Sequence, residues 1–132
     1  WFETIENSMG GTDRILGIWE NGGAYVGLEC RKNGDLQEYW IGMFAPENTA
    51  VPEGFAHIDI PKSSLGTCWV YGKEEEVHGA VGNCRESIRN AGMEIAADDN
   101  GVEMSFENCL CPRFTTPDEK GNVILDYCYF VK

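Results

Sequence analysis

The feature that most constrains the fold is an Asn-Gly pair between two strand-like runs. Asn33 and Gly34 stand in the middle of AYVGLECRKNGDLQEYWIGMF, residues 24–44, where apolar and polar side chains alternate on both sides of the pair. Asn-Gly suits a two-residue hairpin turn, because both positions tolerate positive φ. The sequence therefore predicts an antiparallel β-hairpin over these residues.

The hydrophobic period changes further along the chain. Two more strands are predicted at residues 55–60 and 65–72, with PKSS between them. From Glu74 to Met93 the apolar residues recur at intervals of three and four, which predicts a helix that docks on the sheet, with Gly92 as its C-terminal cap. The apolar positions of this helix are Val77, Ala80, Val81, Cys84, Ile88 and Ala91.

The C-terminal third predicts a last pair of strands, VEMSFENCLCPRF and VILDYCYFVK, joined by TTPDEKGN. The order of strands, helix and strands predicts an α+β fold with an antiparallel sheet, in a single domain over residues 1–132. In the first of these strands the apolar set should face the helix and the polar set the other side, so Glu107 should point outward or into a groove. The apolar set is Val102, Met104, Phe106 and Leu110, and the other set is Glu103, Ser105, Glu107, Cys109 and Cys111.

The first 23 residues are harder to interpret. WFETIENSMGG has helical spacing and ends in two glycines, as the tail of a truncated helix would, whereas TDRILGIWENGG fits either a short helix or a strand. No signal peptide is visible, and the chain opens on Trp1 without a methionine. We therefore expect Trp1 to be a cut edge.

Composition excludes several classes of function. The net charge of −12 repels phosphate backbones, so direct nucleic-acid binding is not expected, and no run of about 18 apolar residues suggests a membrane span. Three of the six cysteines, Cys30, Cys68 and Cys128, fall within strand-like segments, which predicts reduced, partly buried thiols and a cytoplasmic protein.

No cofactor or metal is predicted. The CLC pair at Cys109 and Cys111 lacks a second ligand pair for zinc, and DDNG lacks the first ligand of a calcium loop because Ala96 occupies that position. His57 and His78 accompany no nucleophile or metal motif, so neither is assigned a role.

Several segments together resemble the GyrI-like family, the effector-binding domain of bacterial transcription activators. They are EYWIGM at 38–43, VPEGFAHIDIPKSSLGTCWVYG at 51–72, the helix end AGMEI, FEN at 106–108 and the final DYCYFVK. The resemblance implies two β-α-β-β repeats that form a curved sheet with helices on one side and a ligand groove on the other. It also implies that the first repeat is truncated at the N-terminus, and that a DNA-binding domain, fused or separate, is a partner.

The same resemblance implies a site for hydrophobic, cationic small molecules. Glu107 matches the family's glutamate, and Tyr39 matches an aromatic position on the hairpin. A carboxylate among aromatic rings loses hydration, and an organic cation restores its charge balance while stacking on ring faces. The predicted ligand-binding residues are Glu107, Tyr39, Trp40, Trp69, Tyr71 and Tyr127.

Three functions stay open at this point. The first and preferred one is an effector-sensing or drug-sequestering domain that binds such cations without chemistry. The second is a hydrolase of strained electrophilic small molecules, with Glu107 as the general base. The third is an acidic protein-interaction domain that engages a basic partner. Whether the protein is an enzyme is therefore undecided, because one glutamate in an aromatic groove would serve the first two functions equally.

Overall fold

A computed structural model describes residues 25–110 and 112–132 of the chain. The strands of this part are β1 (Tyr25–Lys32), β2 (Asp35–Met43), β3 (Ser64–Gly72), β4 (Val102–Asn108) and β5 (Val123–Val131). They form a five-stranded antiparallel sheet in the order β2-β1-β4-β5-β3. The prediction of an α+β fold with an antiparallel sheet is confirmed, whereas the segments 1–11 and 12–23 lie outside the described residues.

The hairpin predicted from Asn33 and Gly34 is confirmed. These two residues connect β1 to β2 with φ angles of 53° and 88°, which is the left-handed backbone that the turn requires. The pairing register shifts between Cys30 and Arg31, so a bulge precedes the turn. A bulge next to a turn increases the local twist of the strand pair.

The predicted helix over residues 74–93 is not one continuous α-helix. It consists of α1 (Glu74–Val77), a 3₁₀ turn (His78–Asn83) and α2 (Cys84–Asn90), which together we call the helical segment. Gly79 and Gly82 both lie in the 3₁₀ turn, where their backbone freedom disfavours regular α-helix. The glycine cap is confirmed, because Gly92 has a φ of 81° and its amide donates to the carbonyl of Arg89.

The strand predicted at residues 55–60 is wrong. These residues form no ladder, and a turn closed by the Phe55 amide and the Pro52 carbonyl precedes them. An alternating pattern shows only that one side of an extended segment packs on the protein, and here Ile60 does so. A strand also needs a hydrogen-bonding neighbour. The next predicted strand is confirmed as β3.

Two hydrophobic cores flank the sheet. The first joins Val77, Cys84 and Ile88 of the helical segment to Val70 on β3 and to alternate residues of β5. The second includes Leu28, Phe106 and Phe130, and Phe44 and Ile60 pack against it. Cys30, Cys84 and Cys128 are buried thiols.

The orientation predicted for the strand that contains Glu107 is reversed. Phe106 belongs to the second core, away from the helical segment, whereas Glu103 and Glu107 contact Arg85 and His78 of that segment. Both faces of β4 are covered, one by the helical segment and the other by the second core. An apolar set on a strand covered on both faces does not reveal which layer it meets.

Candidate functional site

One face of the sheet collects polar side chains from three central strands. Glu29 on β1 pairs with Ser105 on β4, and the neighbouring row pairs Gly27 with Glu107 and Glu107 with Tyr127 of β5. Paired residues of adjacent strands share a face, so these residues form a continuous surface that we call the groove face. The helical segment contacts this face through Arg85 and His78.

A cavity of about 620 Å³ opens on the groove face. Its walls include Glu29, Arg31, Arg85, Glu103, Ser105 and Tyr127. A volume of this size accommodates a drug-sized ligand. Glu107 does not line the cavity itself but lies in the next row of the sheet, where its register partner is the wall residue Tyr127.

Tyr127 links the wall residues by hydrogen bonds. Its hydroxyl donates to Glu29 Oε2 at 3.3 Å and lies 3.1 Å from the hydroxyl of Ser105. The residue is 4% exposed, and burial is the largest cause that raises the pKa of its phenol well above the ordinary value. Tyr127 is therefore a neutral hydroxyl that positions the carboxylate of Glu29.

The other two carboxylates of the groove face differ in the partner that neutralises them. Arg85 contacts both carboxylate oxygens of Glu103, with 2.7 Å between Nη2 and Oε1, and its hydrogen bonds lower the pKa of Glu103. Glu107 meets a histidine instead, with 3.0 Å between His78 Nδ1 and Glu107 Oε1. Since Arg31 neutralises Glu29, Glu107 is the groove carboxylate without an arginine partner among the ion pairs of residues 25–110 and 112–132.

Gly27 brings Tyr39 next to Glu107. A Cβ atom at position 27 would lie 2.2 Å from the Tyr39 hydroxyl and 3.5 Å from Glu107 Oε2, so the tyrosine lies across β1 only because position 27 has no side chain. Burial raises the pKa of Tyr39, and the negative charges of Glu107 and Glu29 add to this effect. Tyr39 nevertheless remains 50% exposed, which leaves part of its ring open to a ligand.

The three remaining predicted ligand-binding residues lie on the opposite face of the sheet. Trp40 packs against the second core, and Trp69 and Tyr71 alternate along β3 with residues that face the helical segment. Trp69 is 70% exposed beneath the guanidinium of Arg113, and the Tyr71 hydroxyl donates to Asp118. The structure thus brings Glu107, Tyr39 and Tyr127 to one face and places Trp40, Trp69 and Tyr71 on the other.

Sequence analysis assigned no role to His78, nor to the groove residues Glu29, Arg31, Arg85 and Glu103. No local pattern indicated that His78 contacts Glu107, because the two residues lie in different elements and meet only where the helical segment packs on the sheet. Arg31 and Glu29 form a pair within β1, two positions apart on the same face of the strand. The contact between Arg85 and Glu103 joins the helical segment to β4, so it depends on tertiary packing.

No family model matches the chain, and no curated protein or solved structure matches it at a significant level. The resemblance to the GyrI-like family stays a prediction that rests on its segments alone. Within the described part of the chain, no helix is long and apolar enough to cross a membrane. The same part contains no group of three or more histidine, cysteine or acidic side chains arranged to hold a metal ion.

Proposed function

We propose that this protein is a small-molecule-binding domain that holds lipophilic organic cations on its groove face. The single observation that carries the proposal is the pairing of Glu107 with a histidine, where Glu29 and Glu103 are paired with arginines. When the imidazole of His78 is neutral, the charge of Glu107 is uncompensated. An organic cation supplies the missing charge in a partly desolvated place, where electrostatic attraction is stronger than in water.

Aromatic side chains support the apolar part of the ligand. Tyr39 presents a half-exposed ring beside Glu107, and a cation over a tyrosine face gains about 0.5–2 kcal/mol. The adjoining cavity offers space for the body of the ligand. Its walls contain Tyr127 and Tyr129, which are 4% and 8% exposed.

The proposal includes the finer fold features that the family resemblance implies. The strand order β2-β1-β4-β5 is symmetric about the β1/β4 pair, and β3 continues it on one side. This order supports two β-α-β-β repeats with helices on one face. We further propose that the domain works in the cytoplasm, since buried thiols suit a reducing compartment. The family resemblance suggests a DNA-binding domain, fused or separate, as its partner.

The test is a calorimetric titration with a planar aromatic cation and its neutral isostere. Calorimetry is preferred over tryptophan fluorescence because Trp40 and Trp69 lie on the face opposite Glu107. We expect the wild-type protein to bind the cation more tightly than the isostere. Glu107→Gln should lose about 1.5–3 kcal/mol of binding free energy, or tenfold or more in Kd, because it keeps the shape and removes the charge.

Glu86→Gln is the matched control, because Glu86 is an exposed glutamate of α2. It should bind the cation like the wild-type protein. Equal affinity for the cation and the isostere would refute the electrostatic part of the proposal. If Glu107→Gln unfolds the protein, Glu107 is a structural carboxylate and the proposed site is wrong.

A second function is favoured by the same contact. A histidine 3.0 Å from a glutamate is an arrangement that can remove a proton from water, so a hydrolase of strained electrophiles with Glu107 as general base is the alternative. Single-turnover measurements on an electrophilic substrate separate the two. If Glu107→Gln abolishes turnover but leaves substrate binding nearly intact, the enzyme replaces the binding domain as the proposed function.

A further inference from the structure

Two cysteine thiols meet where the helical segment packs on the edge of the sheet. Cys84 is the first residue of α2 and is 3% exposed in the first core, and Cys68 of β3 packs against the same core. Burial raises the pKa of Cys84, and a hydrogen bond between the two thiols raises it further. The thiols of two different elements are therefore in contact with each other.

Cys68 is the thiol of this pair that a reagent can reach from solvent. β3 is the last strand in the sheet order, so one of its edges has no neighbouring strand in the described part of the chain, and Cys68 is half-buried there. Cys84 is enclosed between the helical segment and the sheet. Partly exposed cysteines react with outside reagents, whereas fully buried ones are inert. The pair thus joins a reachable thiol to an enclosed one.

The contact with a second thiol distinguishes Cys84 from two other buried cysteines. Sγ of Cys128 lies 3.4 Å from the hydroxyl of Thr67. The pKa of Cys30 is raised by burial first and then by the charges of two carboxylates. Neither a hydroxyl nor a carboxylate can close a disulfide with a thiol.

We propose that Cys68 and Cys84 form an oxidisable dithiol site that reacts with low-molecular-weight disulfides such as oxidised glutathione. The thiolate of Cys68 attacks one sulfur of the reagent, so that a mixed disulfide forms at Cys68 and one glutathione thiolate leaves. Sγ of Cys84, once deprotonated, attacks Sγ of Cys68 and displaces the second glutathione. Two protein thiols are oxidised to one disulfide, the reagent is reduced to two thiols, and the two protons pass to the leaving thiolates.

The disulfide connects the helical segment to β3 beside the cavity. Cys84 directly precedes the wall residue Arg85, and the register partner of Cys68 is Tyr127, another wall residue. The bond therefore restrains the segment that supplies part of the cavity wall. The reaction needs no ligand in the cavity, so this inference is independent of the proposed function.

Peptide mapping of the folded protein after incubation in a glutathione redox buffer tests the site. Trypsin cleaves after lysine and arginine, so Cys68 and Cys84 fall in separate peptides, residues 63–73 and 74–85. We expect these peptides to be joined, without the two thiol hydrogens. The equilibrium constant for this disulfide should be about tenfold or more higher in the folded protein than in urea, because the fold holds the two thiols together.

Three variants examine the two steps of the reaction. Cys84→Ala should stop at the mixed disulfide and keep one glutathione on peptide 63–73. Cys68→Ala should leave Cys84 as a thiol, because the reagent does not reach it. Cys30→Ala is the matched control, since it removes a buried thiol of β1 and should leave the yield of the joined peptides unchanged.

The wild-type protein alone can refute the proposal, so a variant that does not fold leaves the test intact. The proposal is wrong if peptides 63–73 and 74–85 stay separate in the folded protein, whether Cys68 carries glutathione or remains a thiol. It is also wrong if the equilibrium constant is the same in urea as in the folded protein. If folded Cys84→Ala takes up no glutathione, Cys68 is not the attacking thiol and the proposed order of steps is wrong.

Discussion

Each face of the sheet carries a carboxylate near an aromatic ring, Asp126 on one face and Glu107 on the other, but only Asp126 is paired with an arginine. On the opposite face Asp126 accepts a hydrogen bond of 2.7 Å from Arg113, whose guanidinium also lies 5.9 Å from the centre of the Trp69 ring. On the groove face Glu107 meets His78, which can be neutral. The comparison shows that the protein completes a carboxylate–aromatic–cation arrangement with its own arginine on one face, whereas on the other face a histidine takes the place of the arginine.

Asp126 and Glu107 also differ in how far their side chains are buried. The side chain of Asp126 is 5% exposed and that of Glu107 is 20% exposed. Oδ1 of Asp126 and Oδ1 of its cross-strand partner Asn108 are both buried without a hydrogen-bond partner in the described part of the chain. Buried acceptors without donors are costly, so the opposite face should be more sensitive than the groove face to the loss of its cation.

The largest expected effect is therefore the loss of stability on Arg113→Ala. A buried carboxylate that loses its partner typically costs about 3–5 kcal/mol, and we expect about 2–3 kcal/mol here because the Arg113 side chain is 39% exposed. His78→Ala should cost less than about 1 kcal/mol. Urea unfolding at neutral pH measures both, and equal losses would show that the two faces do not differ in this way.

A smaller effect is expected from the charge of Asp126 itself. Burial raises the pKa of Asp126, and Arg113 opposes this shift. A carboxyl group whose pKa is higher in the folded than in the unfolded protein destabilises the fold when it is ionised. This destabilisation is complete above the folded-state pKa and disappears as the pH falls to the ordinary carboxyl pKa. Asp126→Asn in the Arg113→Ala background should thus recover about 1–2 kcal/mol at neutral pH.

The recovery in the double variant should be smaller at an acidic pH near the ordinary carboxyl pKa than at neutral pH, because the raised pKa of Asp126 lets it take up its proton as the pH falls over this range. Unfolding of the single and double variants at both pH values tests this. The single variant Asp126→Asn serves as the control for changes unrelated to Arg113. A recovery that is independent of pH would mean that the charge of Asp126 does not cause the loss.

The smallest expected effect concerns a pair on the groove face. Glu103→Gln should destabilise the protein by about 0.5–1 kcal/mol at neutral pH, because the pair with Arg85 is partly exposed to solvent. The pKa of Glu103 is lowered by Arg85, so its contribution is present above the ordinary carboxyl pKa and is lost as pH falls through the lowered value. Unfolding curves for wild type and variant should therefore converge in acid, and a constant difference would contradict the role of the charge.

Local signals predicted the elements that depend on neighbouring residues. The Asn33-Gly34 turn and the Gly92 cap were predicted because positive φ is a property of one or two positions. The continuous helix and the strand at residues 55–60 were wrong, because glycines weaken α-helix and a strand requires a partner. Glu107 was proposed as a site residue from its segment alone. His78 and Glu103 take part in the groove face through contacts between the helical segment and β4, and Glu29 does so through its contact with Tyr127 of β5.

The sequence by itself determined the alternation of side chains along each strand and the turn that pairs β1 with β2, because these follow from backbone geometry within a few residues. Only the tertiary structure decided which layer covers each side of β4, and hence that Glu107 meets His78 beneath the helical segment while Trp69 lies on the opposite face. The physical reason is that side chains alternate between the two faces of a strand, and this alternation does not show which layer of the protein packs on which face. The packing of the helical segment and of the loop before β3 assigns one core to each face.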